Sequence, residues 1–305
     1  MNPHTAVVLI IFNRPRLTET VFAIIAQARP KQLLIIADGA RFAEEEEKCL
    51  EARSIVQAVD WNCDVRTNIA KTNMGCRQRI VSGLNWAFSL VDEAIILEDD
   101  CVPHVSFFAY CETLLDYYRH DHRVMEISGC NYQQGRTDEN YSYYFSRYYH
   151  TLGWATWKRA WKHYDEYIST WPQVRQSEWW NALFDDGDEL AYWTAVYDQI
   201  YKGGLSTSWD YQWQLARWCQ NGLSAVSTVN LISNIGFGPD ATNTKSEHDF
   251  RACLPVSDIG QIQHPLSIAR NAHADRHRFH TVERLNPGIF WQIGSRISRI
   301  ARAFT

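Results

Sequence analysis

The feature that most constrains this chain is a repeated unit: a short apolar run that stops at a polar residue, followed by an amphipathic stretch. Ala6 to Phe12 is continuous, apolar and rich in β-branched residues, as in a strand covered on both faces of a parallel sheet. Asn13, Arg14 and Pro15 end it. Thr18 is placed to cap a helix in which Val21, Ile24, Ile25 and Ala28 recur at helical spacing. Leu33 to Ala37 is a second run, ending at Asp38 and Gly39. A charged helix is expected from Ala43 to Val59, a third strand from Asp64 to Thr67, and a helix from Gln78 to Leu90. Ala94 to Leu97 is a fourth strand and stops at Glu98, Asp99 and Asp100. Val105 to Tyr118 then reads as a helix and Val124 to Ser128 as a strand.

This alternation predicts an α/β fold built on a Rossmann-like, mixed but mainly parallel sheet. Right-handed crossovers put the carboxyl ends of parallel strands on one edge, where open α/β sheets bind ligands. Asn13 and Arg14, Asp38, and Glu98 to Asp100 each follow a strand, so the pattern brings them to one crevice. After residue 125 the chain turns aromatic, with Tyr141 to Tyr149, Trp154 to Trp161, Trp179-Trp180 and Trp209 to Trp218. No Pro, Gly or Ser linker separates this part, so residues 1–255 are expected to form one domain. Residues 1–124 would be its nucleotide half and 125–255 its acceptor half, with 256–305 as a carboxyl-terminal extension.

Three consecutive acids ending a buried strand are costly unless solvated, paired or bound to a metal. Mg²⁺ or Mn²⁺ takes hard oxygen ligands and is commonly shared between one or two carboxylates, phosphates and water. Asp100 is therefore the candidate metal ligand, and Glu98 and Asp99 line the same edge, Asp99 as a ribose acceptor. The Arg14 guanidinium can pair with phosphate oxygens. Asp38 can accept the imide N–H of a uracil or the N1–H of a guanine, or simply form an Asp-Gly turn. Arg77, with Arg79, opens the helix after Asn73-Met74-Gly75, where backbone N–H groups can approach an anion or the segment simply caps the helix.

Asp210 lies among Trp209, Tyr211 and Trp213. It suits either a base that takes an acceptor proton or an ordinary acid at a helix start. Trp154 and Trp209 can wall a sugar site or fill the core, and Trp157 and Trp161 have the spacing of one helix face. Asp185, Asp186, Asp188 and Glu189 read as a solvated loop, and Ser233 to Thr244 as a loop able to close over a donor.

The net charge of −5 gives no sign of a nucleic-acid partner. The eight cysteines show no CxxC pair or zinc spacing, and nothing at the amino terminus resembles a secretory leader. Free thiols and a cytoplasmic setting are therefore expected. No apolar run reaches the ~18 residues of a membrane span. Residues 288–305 place Phe290, Ile293, Ile297, Ile300 and Phe304 at helical spacing, with arginines on the other faces. Such a helix can rest on the anionic inner face of a membrane or dock on protein.

Phe-Asn-Arg-Pro at 12–15, Ala-Asp-Gly at 37–39, Asn-Met-Gly-Cys at 73–76, Ile-Leu-Glu-Asp-Asp-Cys at 96–101, Gly-Trp-Ala-Thr-Trp at 153–157 and Asn-Ile-Gly-Phe-Gly at 234–238 together resemble a group of bacterial proteins. These are the GT-A-type glycosyltransferase-like proteins of surface-polysaccharide gene clusters. The same series is distantly similar to the N-acetylglucosaminyltransferase I family. The resemblance implies a GT-A fold, Mn²⁺ or Mg²⁺, inversion, a UDP- or GDP-sugar donor and a glycan or lipid-linked acceptor. It implies Asp100 as metal ligand, Arg14 and Asp38 at the nucleotide and Asp210 as base, while Asn13, Arg77, Glu98 and Asp99 are expected at the donor from their places at strand ends and a helix start. A non-catalytic sugar- or lipid-binding subunit is the alternative from another class.

Overall fold

The apolar runs that alternate side chains to two faces are the centre of the molecule. In the computed structural model, residues 3–133, 140–204, 209–238 and 249–283 are described. The first half runs β1 (Ala6–Ile11), α1 (Pro15–Ala28), β2 (Gln32–Ala37), α2 (Glu46–Ile55), β3 (Asp64–Ile69), α3 (Cys76–Leu90) and β4 (Glu93–Glu98). Next come β5 (Cys101–Pro103), α4 (Ser106–Tyr117), β6 (Val124–Ser128), β7 (Tyr143–Ser146) and β8 (Trp154–Trp157). Helices α5 (Lys158–Trp161), α6 (Trp171–Arg175), α7 (Glu178–Ala182), α8 (Gly187–Tyr201) and α9 (Asp210–Cys219) follow. Then β9 (Leu223–Ser227), β10 (Ile232–Asn234) and α10 (Ala272–Arg278) complete the described elements, with a π turn at Phe279–Glu283.

Eight strands form one mixed sheet in the order β3-β2-β1-β4-β8-β6-β9-β7. The run β3-β2-β1-β4 is parallel, with Ile10 opposite Glu98 and Ile11 opposite Ala37. Strand β8 lies antiparallel between β4 and β6 and joins the two halves into one sheet. Val7, Leu9 and Ile11 face α1 and α4, whereas Val8 and Ile10 face α3 and the tryptophan-rich helices. Edge strand β3 is mostly exposed and carries Asp64 and Arg66, which blunt the sheet edge.

Several local expectations need correction. Thr18 does not cap α1. Pro15 starts that helix, with Arg14 at the cap position, and the Thr18 hydroxyl donates back to the Arg14 carbonyl at 2.9 Å. Proline suits the first helical position because its missing N–H is one the helix leaves unpaired anyway. Trp157 ends β8 and Trp161 ends α5, so they do not share a helix face. Glu189 is no solvated acid: it is buried in α8 and pairs with Arg147 at 2.5 Å. Residues 256–283 pack against β7 and the residues beside it. Ser142 N–H donates to the Gln263 carbonyl at 3.0 Å, and Asn271 N–H to Phe145 at 2.7 Å. Asp275, fully buried, accepts from Ser146 and from Arg270, each at 2.5 Å. Residues 288–305 lie outside the described residues, as does the membrane-binding helix expected there.

Candidate functional site

The carboxyl edge of the parallel strands holds a strip of acids with little counter-charge. Glu98 ends β4, and Asp99 and Asp100 form the turn into β5. Arg14, brought there by β1, grips this turn. Its Nη2 and Nε donate to Asp99, and its Nη1 donates to Asp100 Oδ2 at 2.9 Å. Phe12 N–H adds a bond to Asp99 Oδ2 at 3.3 Å. Burial pushes the Glu98 carboxyl up to about 8, helped by the Asp100 and Asp99 charges. Burial likewise raises Asp99 to about 6, with Arg14 working against it. One guanidinium thus faces three carboxyls, and the strip favours an added positive charge.

Two expected roles change here. Arg14 spends its fork on Asp99 and Asp100, so it organises the acids instead of waiting for phosphate. Asp99, whose side chain is 3% exposed, is engaged by Arg14 and Phe12 N–H, so most of its acceptor capacity is spent inside the chain. Asp100 remains 14% exposed at its side chain. The loop after β10 presses on it. Ile235 N–H donates to the Asp100 carbonyl at 2.9 Å. A Cβ on Gly236 would come within 2.1 Å of Asp100 Oδ2, so only glycine permits this approach. The sequence reading did not single out Gly236, although it lies in the Asn-Ile-Gly-Phe-Gly stretch.

Asp38, at the end of β2, is buried and already saturated. Its Oδ1 accepts from Gly39 N–H and Met74 N–H, each at 2.9 Å, and its Oδ2 from Asn73 Nδ2 at 3.0 Å and Gly75 N–H at 3.2 Å. Four donors fill a carboxylate's acceptor sites. Asp38 therefore shapes the 73–75 loop, and the base-reading role expected for it has no free lone pair. Gly75 caps α3 at φ +77°, a conformation that glycine adopts freely. Arg79 is buried and ties α3 to the ends of β2 and β3 through the Ala37 and Asn68 carbonyls. Arg77 pairs with Glu166 at 3.5 Å. Asn13 Nδ2 donates to the buried Glu45 at 2.8 Å.

Asp210 is the first residue of α9, half-buried. Its charge helps raise both Glu98 and Cys76. Burial, with Glu98 and Asp210, pushes the Cys76 thiol up to about 12, so it stays protonated at the site. Trp154 and Trp209 do not wall this crevice. Trp154 is 1% exposed and stacks on Trp209 at 5.8 Å, with Trp161 and Trp213 against its other sides. Its ring faces are occupied by other indoles.

Among the described residues no three His, Cys, Asp or Glu side chains converge as a closed metal site. The donor chemistry still fits a hard cation held by one carboxylate, Asp100, with phosphate oxygens and water completing the shell. At the opposite edge of the sheet lies a cleft of about 690 Å³. Three of its acids are paired: Glu112 accepts from His4 N–H at 2.6 Å, and Glu93 and Asp116 each pair with Arg119 at 3.1 Å. No described helix is long and apolar enough to cross a membrane.

No family model and no curated protein matches the chain. Among solved structures, a UDP-glucose pyrophosphorylase complexed with UDP-glucose is similar over 52% of this chain and 79% of its own. The identity is 10% and the TM-score 0.29, a likeness that bears on neither fold nor chemistry.

Proposed function

We propose that this chain is a glycosyltransferase that uses a divalent cation to move a sugar from a nucleotide-sugar donor to a hydroxyl acceptor. The observation that carries this reading is the strip Glu98, Asp99 and Asp100 at the carboxyl edge of the sheet, with Arg14 gripping Asp99 and Asp100. A bound Mn²⁺ or Mg²⁺ supplies positive charge to the diphosphate as it leaves. Asp100 would hold that ion, and Arg14 keeps Asp100 in place through Nη1. Glu98 and Asp99 add negative potential that draws the cation in.

Asp210 accepts the proton of the acceptor hydroxyl as the oxygen attacks the anomeric carbon, and the sugar–phosphate bond breaks on the opposite side. This is a direct, inverting displacement with one base. A UDP- or GDP-sugar suits the donor role and a glycan or lipid-linked sugar the acceptor role. With Asp100 as the protein's contribution, cation binding is weak alone and tight only with the nucleotide.

Calorimetric titration with UDP-, GDP-, CMP- and dTDP-sugars, with and without Mn²⁺, tests the reading. The expected result is one metal-dependent donor, lost in Asp100→Ala while the fold remains. Equal binding in that variant would remove Asp100 from the site. No donor binding to the folded wild type would favour a non-catalytic sugar- or lipid-binding subunit.

A further inference from the structure

At the β2 end of the crevice, Phe42 is 55% exposed, whereas most large aromatics of the described chain are buried. It is not loosely held. Arg41 lies 5.6 Å from the Phe42 ring centre and 5.5 Å from that of Phe12. Arg41 is pinned in turn by the buried Glu45, which accepts from Arg41 N–H at 3.1 Å and Nε at 3.0 Å. The same carboxylate holds Asn13, the neighbour of Arg14. An unbroken chain of contacts therefore runs from the Asp99–Arg14 grip to an exposed aromatic face.

The spacing suits a nucleotide. In the sheet order β2-β1-β4, the Glu98 to Asp100 turn and the β2 end are two strand spacings apart, roughly 10 Å. A diphosphate at Asp100 would direct its ribose along this edge toward the loop that carries Arg41 and Phe42. Asp38, at the β2 end itself, has no acceptor site left for the edge of a base. What this end of the crevice offers is a face: an aromatic ring backed by a fixed guanidinium. Every nucleobase has a π-face that stacks on such a surface.

We infer that Arg41 and Phe42 form the platform on which the donor's nucleobase stacks, so that the base is held by its face and not by an edge contact to Asp38. This rests on the nucleotide-sugar reading above. The platform contributes to affinity for the nucleoside part and nothing to affinity for the diphosphate.

The test measures binding of UDP, GDP, CDP and dTDP, and of inorganic pyrophosphate, each with Mn²⁺, to the wild type, Phe42→Ala and Phe42→Trp. Phe42 is largely exposed, so both variants should fold. The expected result is a loss of about tenfold in Phe42→Ala for each nucleoside diphosphate that the wild type binds. Pyrophosphate binding should be unchanged, and Phe42→Trp should bind as tightly as the wild type. If the wild type binds a nucleoside diphosphate and Phe42→Ala binds it equally well, the platform is wrong and the donor reading stands. Equal losses for pyrophosphate and nucleotide would also overturn the platform, because the effect would not lie at the base. If the wild type binds none of the four, the donor reading fails and the platform with it.

Discussion

The chain holds two acid clusters that it treats in opposite ways. In the second half, Glu126 accepts from His150 N–H and Ser224 Oγ at 2.9 Å each and from Trp213 Nε1 at 2.7 Å, with Arg217 beside it. Glu189 has Arg147, and Asp275 has Ser146 and Arg270. At the β4 edge, Arg14 is the cation that Glu98, Asp99 and Asp100 share among the described residues, and burial leaves two of them raised. A buried charge with its partners in place is architecture. A charge left short of partners at a ligand-binding edge stands ready for something outside the chain. Position in the sheet thus separates function from structure better than residue type does.

The largest effect should come from breaking the compensated cluster. Asp275→Ala removes the fully buried carboxylate that Ser146, Arg147 and Arg270 share and should cost about 3–5 kcal/mol of stability, read from denaturant unfolding. Asp100→Ala should leave the stability of the metal-free protein unchanged or slightly higher, since it removes like charge from Glu98 and Asp99. Equal losses in the two variants would erase the distinction between the clusters. Trp154→Ala should cost about 3–5 kcal/mol as a core cavity. A small loss of stability joined to a loss of sugar binding would instead return Trp154 to the crevice wall.

The two regions should also answer pH with opposite sign. Burial pushes Glu98 up from 4.5 to about 8, so the folded metal-free protein keeps a proton that the unfolded chain releases. That contribution is complete below pH 4.5 and is lost as pH rises through 8. His150, buried, is driven well below 6.5 by burial and by Arg278 and Arg217. Its contribution is complete above pH 6.5 and is lost as pH falls below it. Glu98→Gln should flatten the alkaline limb of a stability–pH curve and His150→Gln the acid limb. A Glu98→Gln variant with an unchanged alkaline limb would show that Glu98 is not the proton held.

What the sequence made legible follows the same division. Strands β1, β2 and β4 were readable because double-sided burial leaves uninterrupted apolar runs, and their polar ends predicted the shared edge. What those polar ends do was not readable. Whether Asp38 faces a ligand or its own loop depends on Met74 and Gly75 N–H groups, 36 and 37 residues away. The second half was harder still. Tryptophan serves a sugar site and a core equally well, and periodicity does not tell them apart. Residues 256–283 dock through Arg270 on Asp185, Asp275 on Ser146 and Arg278 on the Tyr149 carbonyl, as well as through Phe279 and Val282. Ion-pair docking leaves no hydrophobic period, so that stretch looked like an extension.

The smallest predicted effect bears on the residue that belongs to neither class. Arg77 sits at the start of α3, where an anion would meet backbone N–H groups, yet its guanidinium pairs with Glu166 at 3.5 Å, both side chains 22% exposed. A partly exposed pair at that distance is worth about 0–1 kcal/mol. Arg77→Ala should therefore change unfolding by less than about 1 kcal/mol. If the pair is structural, donor affinity in Arg77→Ala should match the wild type, and Glu166→Ala should behave the same. If Arg77 swings to the diphosphate when donor binds, the two variants must part: Arg77→Ala loses donor affinity, and Glu166→Ala, which frees the guanidinium, gains it. The sign of the Glu166→Ala effect thus decides whether Arg77 belongs with the compensated charges or with the strip beside Asp100.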